Sequence, residues 1–173
     1  MQHYYVDPSG KSIGSYDGPI ELSPFAGTPV GIAPDDAGAQ RWNGSIWVRP
    51  AESSRETILS AIARRYQQAL AAGLAHGGKV LQIREQDQAN LTAMGNEARW
   101  ALESGVPWPA DFAWRMADNT FLSLATPESM IAMAEAAKAE VFRLRQVKWV
   151  HVDAVRAMTI AADIDSYNFE TGW

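Results

Sequence analysis

The chain has 173 residues, 47% hydrophobic and 20% charged, apolar enough to build a packed core rather than remain disordered. A net charge of −5 and a sequence pI near 5.2 argue against nucleic acid, since phosphate binding needs a basic patch. The absence of cysteine removes disulfides, thiolate metal sites and cysteine nucleophiles, and suits synthesis in a reducing cytoplasm.

The first 50 residues are punctuated by glycine and proline, with β-prone aromatics between. Tyr4-Tyr5-Val6 precedes Asp7-Pro8-Ser9-Gly10, a turn in which proline presets φ and glycine accepts positive φ. Ile13 to Tyr16 is the expected returning strand. The stretch from Ile20 to Ala39 is expected to wander over the surface. Gln40-Arg41-Trp42 and Ser45-Ile46-Trp47 then flank Asn43-Gly44, a strong hairpin signal. A β unit of this size buries little apolar area, so it needs a neighbour: the rest of the chain, another subunit or a partner protein.

A change of character at Val48 to Ser53 marks the expected domain boundary, with a helical α+β domain over 53–165 and an aromatic tail over 166–173. Ser53-Ser54-Arg55-Glu56 reads as a capping box. Ile58, Leu59, Ile62, Tyr66, Ala69, Leu70 and Leu74 follow on one face, and Gly73 or Gly77-Gly78 ends the helix. Val80 to Arg84 is a candidate strand. Asp87 is the expected N-cap of a second helix carrying Leu91, Met94, Ala98 and Leu102, stopped by Gly105 and Pro107. Phe112, Trp114 and Met116 alternate along one strand of a hairpin that turns at Ala117-Asp118-Asn119 and returns through Thr120 to Leu124.

Thr126-Pro127-Glu128 opens a third helix, with threonine as cap and proline in the first turn. Its pattern runs to Ile164 without a breaker, about 40 residues and roughly 55 Å at 1.5 Å per residue. Met130, Ala134, Ala137, Val141 and Leu144 form its seam, but Lys148 and His151 interrupt it before Val155, Met158 and Ala162. Such a helix either breaks near 148–151 or packs its C-terminal half on a partner, and the second is favoured. The fold class is therefore α+β: a small N-terminal β-hairpin unit, then a mainly helical domain with a short antiparallel sheet.

Chemistry is sparse. His3, His76 and His151 share no helix turn and lack zinc-ligand spacing; His76 reads as a loop residue and His151 as a helix-surface or interface residue. Asp163, Asp165 and Glu170 lack the glycine-centred loop of an EF-hand. Gly31, Gly38 and Gly77-Gly78 make no phosphate loop. No run reaches the about 18 apolar residues of a membrane span, and Met1-Gln2-His3-Tyr4-Tyr5 has no signal-peptide pattern. No catalytic residue, cofactor, metal or membrane contact is expected. Of the seven tryptophans, Trp100, Trp108, Trp114 and Trp149 are expected in the core. Trp42, Trp47 and Trp173 lie where little else can bury them, and with Tyr167 and Phe169 they are the candidate partner-binding residues.

Residues 55–165 in order, with Gly-Gly-Lys-Val-Leu-Gln-Ile after the first helix, Trp114-Arg115, Ala117-Asp118-Asn119-Thr120-Phe121 and Thr126 at a helix start, resemble the uncharacterised C-terminal domain of phage tail and tail-fibre-associated proteins. The Tyr-Tyr-Val-Asp-Pro-Ser-Gly opening, the Trp-Asn-Gly-Ser-Ile-Trp hairpin and the Ile164 to Trp173 ending resemble units of the same proteins. The resemblance implies a tail structural or accessory protein that contacts a tail-fibre or baseplate protein, and carries over no catalytic residue. A fibre-assembly chaperone and a receptor-binding module are the alternatives, and homo-oligomerisation stays open.

Overall fold

The computed structural model describes residues 2–30, 33 and 40–173. Gly31, Gly38 and most of the expected wandering stretch after Val30 lie outside the described residues. The fold is α+β, as the sequence patterns predict. The chain divides into two compact units, Met1–Leu59 with Val155–Tyr167, and Ser60–Ala154 with Asn168–Trp173. The division falls inside two helices rather than at residue 50, so the β-rich segment shares its unit with the start of one helix and the end of another.

In the first unit, β1 (Gln2–Val6) and β2 (Ser12–Asp17) form the predicted hairpin, with a bulge between Tyr5 and Val6. Its turn is held by one carboxylate: Asp7 Oδ1 accepts from the Ser9 amide, the Ser9 hydroxyl and the Lys11 amide at 2.8, 2.6 and 3.0 Å. Those bonds, the Ser9 hydroxyl foremost, hold the Asp7 carboxyl below the ordinary carboxylate value. A third strand, β3 (Thr28–Val30), pairs antiparallel with β1. It has proline at its centre and no alternation, so the patterns miss it. Tyr5, Val6 and Val30 are buried, and Tyr5 packs on Phe25 with ring centroids 5.6 Å apart.

The second hairpin differs from its expected form. β4 (Arg41–Trp42) and β5 (Trp47–Val48) pair Trp42 directly with Trp47. The connection is therefore the four residues 43–46, not a two-residue Asn-Gly turn. Asn43 closes it by accepting from the amides of Ser45 and Ile46 through Oδ1. The Trp42 amide donates to the Gly10 carbonyl at 2.8 Å, joining the hairpins, and a side chain at Gly10 would collide with the Trp42 carbonyl.

Helix α1 (Ala51–Ala72) starts two residues before the predicted capping box. Ser53, the cap of that box, is already the third residue of the helix, and Ser54 beside it is fully buried with its hydroxyl unpartnered. Pro50 lies immediately before the first helical residue, and its carbonyl accepts from the Ser54 amide. At the other end of this unit, α3 (Pro127–Ala157) stops and α4 (Ala161–Asp165) begins after three residues. The helix does break, the outcome the sequence favoured less, and it does so at 158–160 rather than near 148–151. No glycine or proline marks it. Arg55 Nη2 donates to the Met158 carbonyl at 2.8 Å, satisfying a group that a continued helix would have used.

The second unit is built on the other parts of α1 and α3 with α2 (Glu85–Ser104). Tyr66, Ala69, Leu70, Leu91, Ala98, Met130, Met133, Ala137, Val141 and Leu144 form one buried cluster. Gly95 of α2 lies so close to α3 that a Cβ there would come within 2.8 Å of Ala134 Cβ. Leu102 is exposed and Ala101 takes the predicted buried position. Asp87 sits at the third position of α2, not at its N-cap; the cap is Arg84, whose amide and Nε both donate to Asp87 Oδ2.

Two short hairpins replace the single small sheet expected here. β6 (Leu74–His76) and β7 (Lys79–Leu81) turn at Gly77-Gly78, both at positive φ. Ile83 and Arg84 therefore lie past the strand predicted for them. β8 (Ala113–Arg115) and β9 (Phe121–Ser123) turn at the predicted Ala117-Asp118-Asn119. There Asp118 Oδ1 accepts from the Thr120 amide and hydroxyl at 2.9 and 2.6 Å, repeating the device of Asp7-Pro8-Ser9. The Thr120 hydroxyl is the main cause of a lowered Asp118 carboxyl pKa. Thr126 caps α3 through a bond from the Ser129 amide, as predicted. No helix of the described residues is long and apolar enough to cross a membrane.

Candidate functional site

Three places with aromatic side chains bear on partner contact, and the first involves the expected partner contacts at the C-terminus. Trp173 is half-buried within the second unit. Its ring stacks on His151 at 5.6 Å, lies 6.5 Å from Tyr66 and sits under the Arg65 guanidinium at 5.7 Å. Its indole N–H donates to the Phe169 carbonyl at 2.7 Å. Arg143 donates bidentately to Glu140 and, through Nη1, to the Gly172 carbonyl at 2.6 Å. Arg65 pairs with Glu170 at 3.0 Å. Hydrogen bonds from Arg143 hold the Glu140 carboxyl down and raise the Arg143 guanidinium.

This clasp explains the polar interruption of the α3 seam. His151, expected on the surface or at an interface, is 6% exposed; its Nε2 lies 3.0 Å from the Thr171 carbonyl oxygen. Lys148 Nζ lies 4.9 Å from the Tyr66 ring centroid. In the second unit this part of α3 packs on the chain's own tail. Trp173 is accordingly an internal anchor. Phe169 is half-buried in the same unit, and Tyr167 is half-buried in the first.

The second place is the Trp42–Trp47 pair, edge to face at 5.9 Å. Both rings are half-buried, the Trp47 indole N–H is buried without a hydrogen-bond partner, and Ile46 projects from the loop between them. One groove in this unit is lined by Val48, Arg49, Pro50, Thr159, Ile160 and Asp165 among others, and neither tryptophan lines it. Among the described residues, both rings are half-buried and stand outside that groove.

The third place was not anticipated. Trp149, expected in the core, is 51% exposed, as is Trp100; Trp108 and Trp114 do pack against the core. On α3, Phe142 at 52% and Val150 at 66% accompany Trp149. Phe142 and Trp149 are seven residues apart and so share one face, opposite the buried Met133, Ala137, Leu144 and His151. One flank of this face meets the tail at Arg143 and Val147. The other meets a groove of about 240 Å³, with Leu91, Ala137 and Val141 beside Lys138, Phe142 and Arg145. The missed signal was positional: Trp149 falls off the 137, 141, 144, 148, 151, 155 seam, and counting it as core followed its hydrophobicity instead of its angle.

Among the described residues, no three His, Cys, Asp or Glu side chains are grouped to hold a metal ion. What the geometry defines is a helix-and-hairpin scaffold with a self-clasped tail and an open aromatic helix face. The chain belongs to the family described as Domain of unknown function (DUF4376), whose model matches residues 53–170. That match runs from the first turn of α1 to Glu170 and leaves out the β-rich segment and the last three residues, Thr171, Gly172 and Trp173. No curated protein and no solved structure matches the chain.

Proposed function

We propose that this protein is a non-enzymatic accessory protein of a bacteriophage tail, carried in the virion and associated with the tail fibre or its baseplate attachment by protein–protein contacts. The observation that carries a contact role is the outer face of α3, where Phe142, Trp149 and Val150 stand exposed on a rigid helix. Apolar side chains clustered on a helix whose opposite side already forms a core suit burial against another protein. The tail assignment rests on the sequence resemblance carried by Trp114-Arg115, Ala117-Asp118-Asn119-Thr120-Phe121 and Thr126. In this reading the work is done by aromatic burial and helix packing, with no covalent step.

Co-expression with the tail-fibre protein of the phage that encodes this chain tests the proposal. The account expects the two to co-purify, and Trp149→Asp to weaken the complex at least tenfold while leaving the fold intact. If fibre solubility depends on the chain but no complex persists, the reading becomes that of an assembly chaperone. A fibre that neither binds the chain nor needs it contradicts both.

A further inference from the structure

The outer face of α3 has an internal symmetry that names its occupant. From a point midway between Arg145 and Gln146, Phe142 and Trp149 lie equally far in opposite directions, and so do Lys138 and Asp153. All six are exposed. At about 100° per residue, Lys138, Phe142, Gln146, Trp149 and Asp153 fall within one narrow stripe. Neither Lys138 nor Asp153 forms an ion pair among the described residues.

A two-fold axis through that midpoint brings two copies of the stripe together antiparallel. In such an isologous contact each residue meets its mirror position on the second copy. Phe142 then faces the second copy's Trp149, twice, and Lys138 faces the second copy's Asp153, twice. The aromatic pairs fill the centre, and the opposite charges close both ends. A parallel pairing would instead set Lys138 on Lys138 and Asp153 on Asp153. We infer that this face binds a second copy of the chain, forming an antiparallel helix-to-helix dimer through Lys138, Phe142, Trp149 and Asp153.

The stripe is about 24 Å long at 1.5 Å per residue, which puts the interface at the small end of specific contacts. Arg145 also meets its own image near the axis, which opposes association. The dimer is therefore weak and concentration-dependent, with a dissociation constant on the order of micromolar. This inference rests on the reading of the face as a protein contact and names a second copy as its occupant. The fibre would then meet the dimer, and Trp149→Asp would weaken fibre binding through loss of that dimer. It does not depend on the tail assignment, because the purified chain alone decides it.

The test is sedimentation velocity of the full chain across a concentration series, with charge-reversal variants. Both positions are exposed and unpaired, so the variants should keep wild-type helicity and melting temperature. Lys138→Glu or Asp153→Lys alone sets like charges opposite each other at both ends, and should weaken the dimer at least tenfold. The double variant Lys138→Glu with Asp153→Lys restores both pairs and should return to within about threefold of wild type. A chain that stays monomeric to several hundred micromolar would overturn the inference. So would a dimer indifferent to the single reversals, or one that the double variant fails to restore.

Discussion

Trp173 shows how much a single residue can hold in place. Its ring is shared among His151, Tyr66 and Arg65, and its indole N–H closes a bond back to Phe169. Full burial of tryptophan is worth about 3–5 kcal/mol on truncation; half-burial places Trp173→Ala at about 2 kcal/mol, measurable by urea unfolding. The same variant should release the tail over 168–173, seen as faster amide exchange there with little change in β1–β2. Asp7 and Asp118 make a second residue-scale case. Hydroxyl and amide donors lower both carboxyl values in the folded chain. Their contribution to stability is thus present above the ordinary carboxylate value and lost as pH falls through the depressed folded value. Carboxyl titration by NMR should give midpoints for both below the ordinary carboxylate value, and Asp7→Asn or Asp118→Asn should flatten the acid limb of the stability profile.

At the scale of elements, the α2–α3 crossing turns on Gly95. Helix propensity alone favours Gly95→Ala by about 1 kcal/mol. The new methyl, however, would meet Ala134 Cβ at 2.8 Å, and neither atom has a flexible chain with which to withdraw. Overpacking of this kind costs about 1–3 kcal/mol, so Gly95→Ala should destabilise by about 1 kcal/mol in thermal unfolding despite the better helix former. An unchanged or raised melting temperature would show that the helices separate freely. The same crossing shows what the sequence could reveal. The seam of α3 through Met130, Ala137, Val141 and Leu144 was legible because burial repeats with the helical period. So were the Thr126 cap, the Asp7 turn and the Gly105 stop, because each is a local hydrogen-bond or φ requirement.

What stayed hidden was set by distant residues. After α3 ends at Ala157, the Met158 carbonyl is taken up by Arg55, about a hundred positions away in the chain, and no local breaker announces that end. His151 is polar yet buried because the tail brings a carbonyl and an indole to it. Strand β3 depends on the free edge of β1, not on its own propensity. Of the expected contact residues, Trp42 and Trp47 were rightly paired across a hairpin but lie half-buried against each other, and Trp173 turned inward. The exposed pair Phe142 and Trp149 could have been found by projecting α3 on a wheel.

Over the whole molecule, the two units divide the chain inside α1 and α3, so the N-terminal β segment is not expected to fold as an excised fragment. A chain of residues 1–50 should lack cooperative unfolding by circular dichroism, whereas the full chain should melt cooperatively. The family match over 53–170 covers the clasped helical part and gives no activity. The functional account therefore rests on two different supports: the open helix face for a contact role, and the motif resemblance for the tail. The most direct test of the second is quantitative mass spectrometry of purified phage particles. The account predicts the chain in particles at a fixed multiple of three or six copies, following tail symmetry. Its absence from particles, with the protein abundant in infected cells, would contradict the virion assignment.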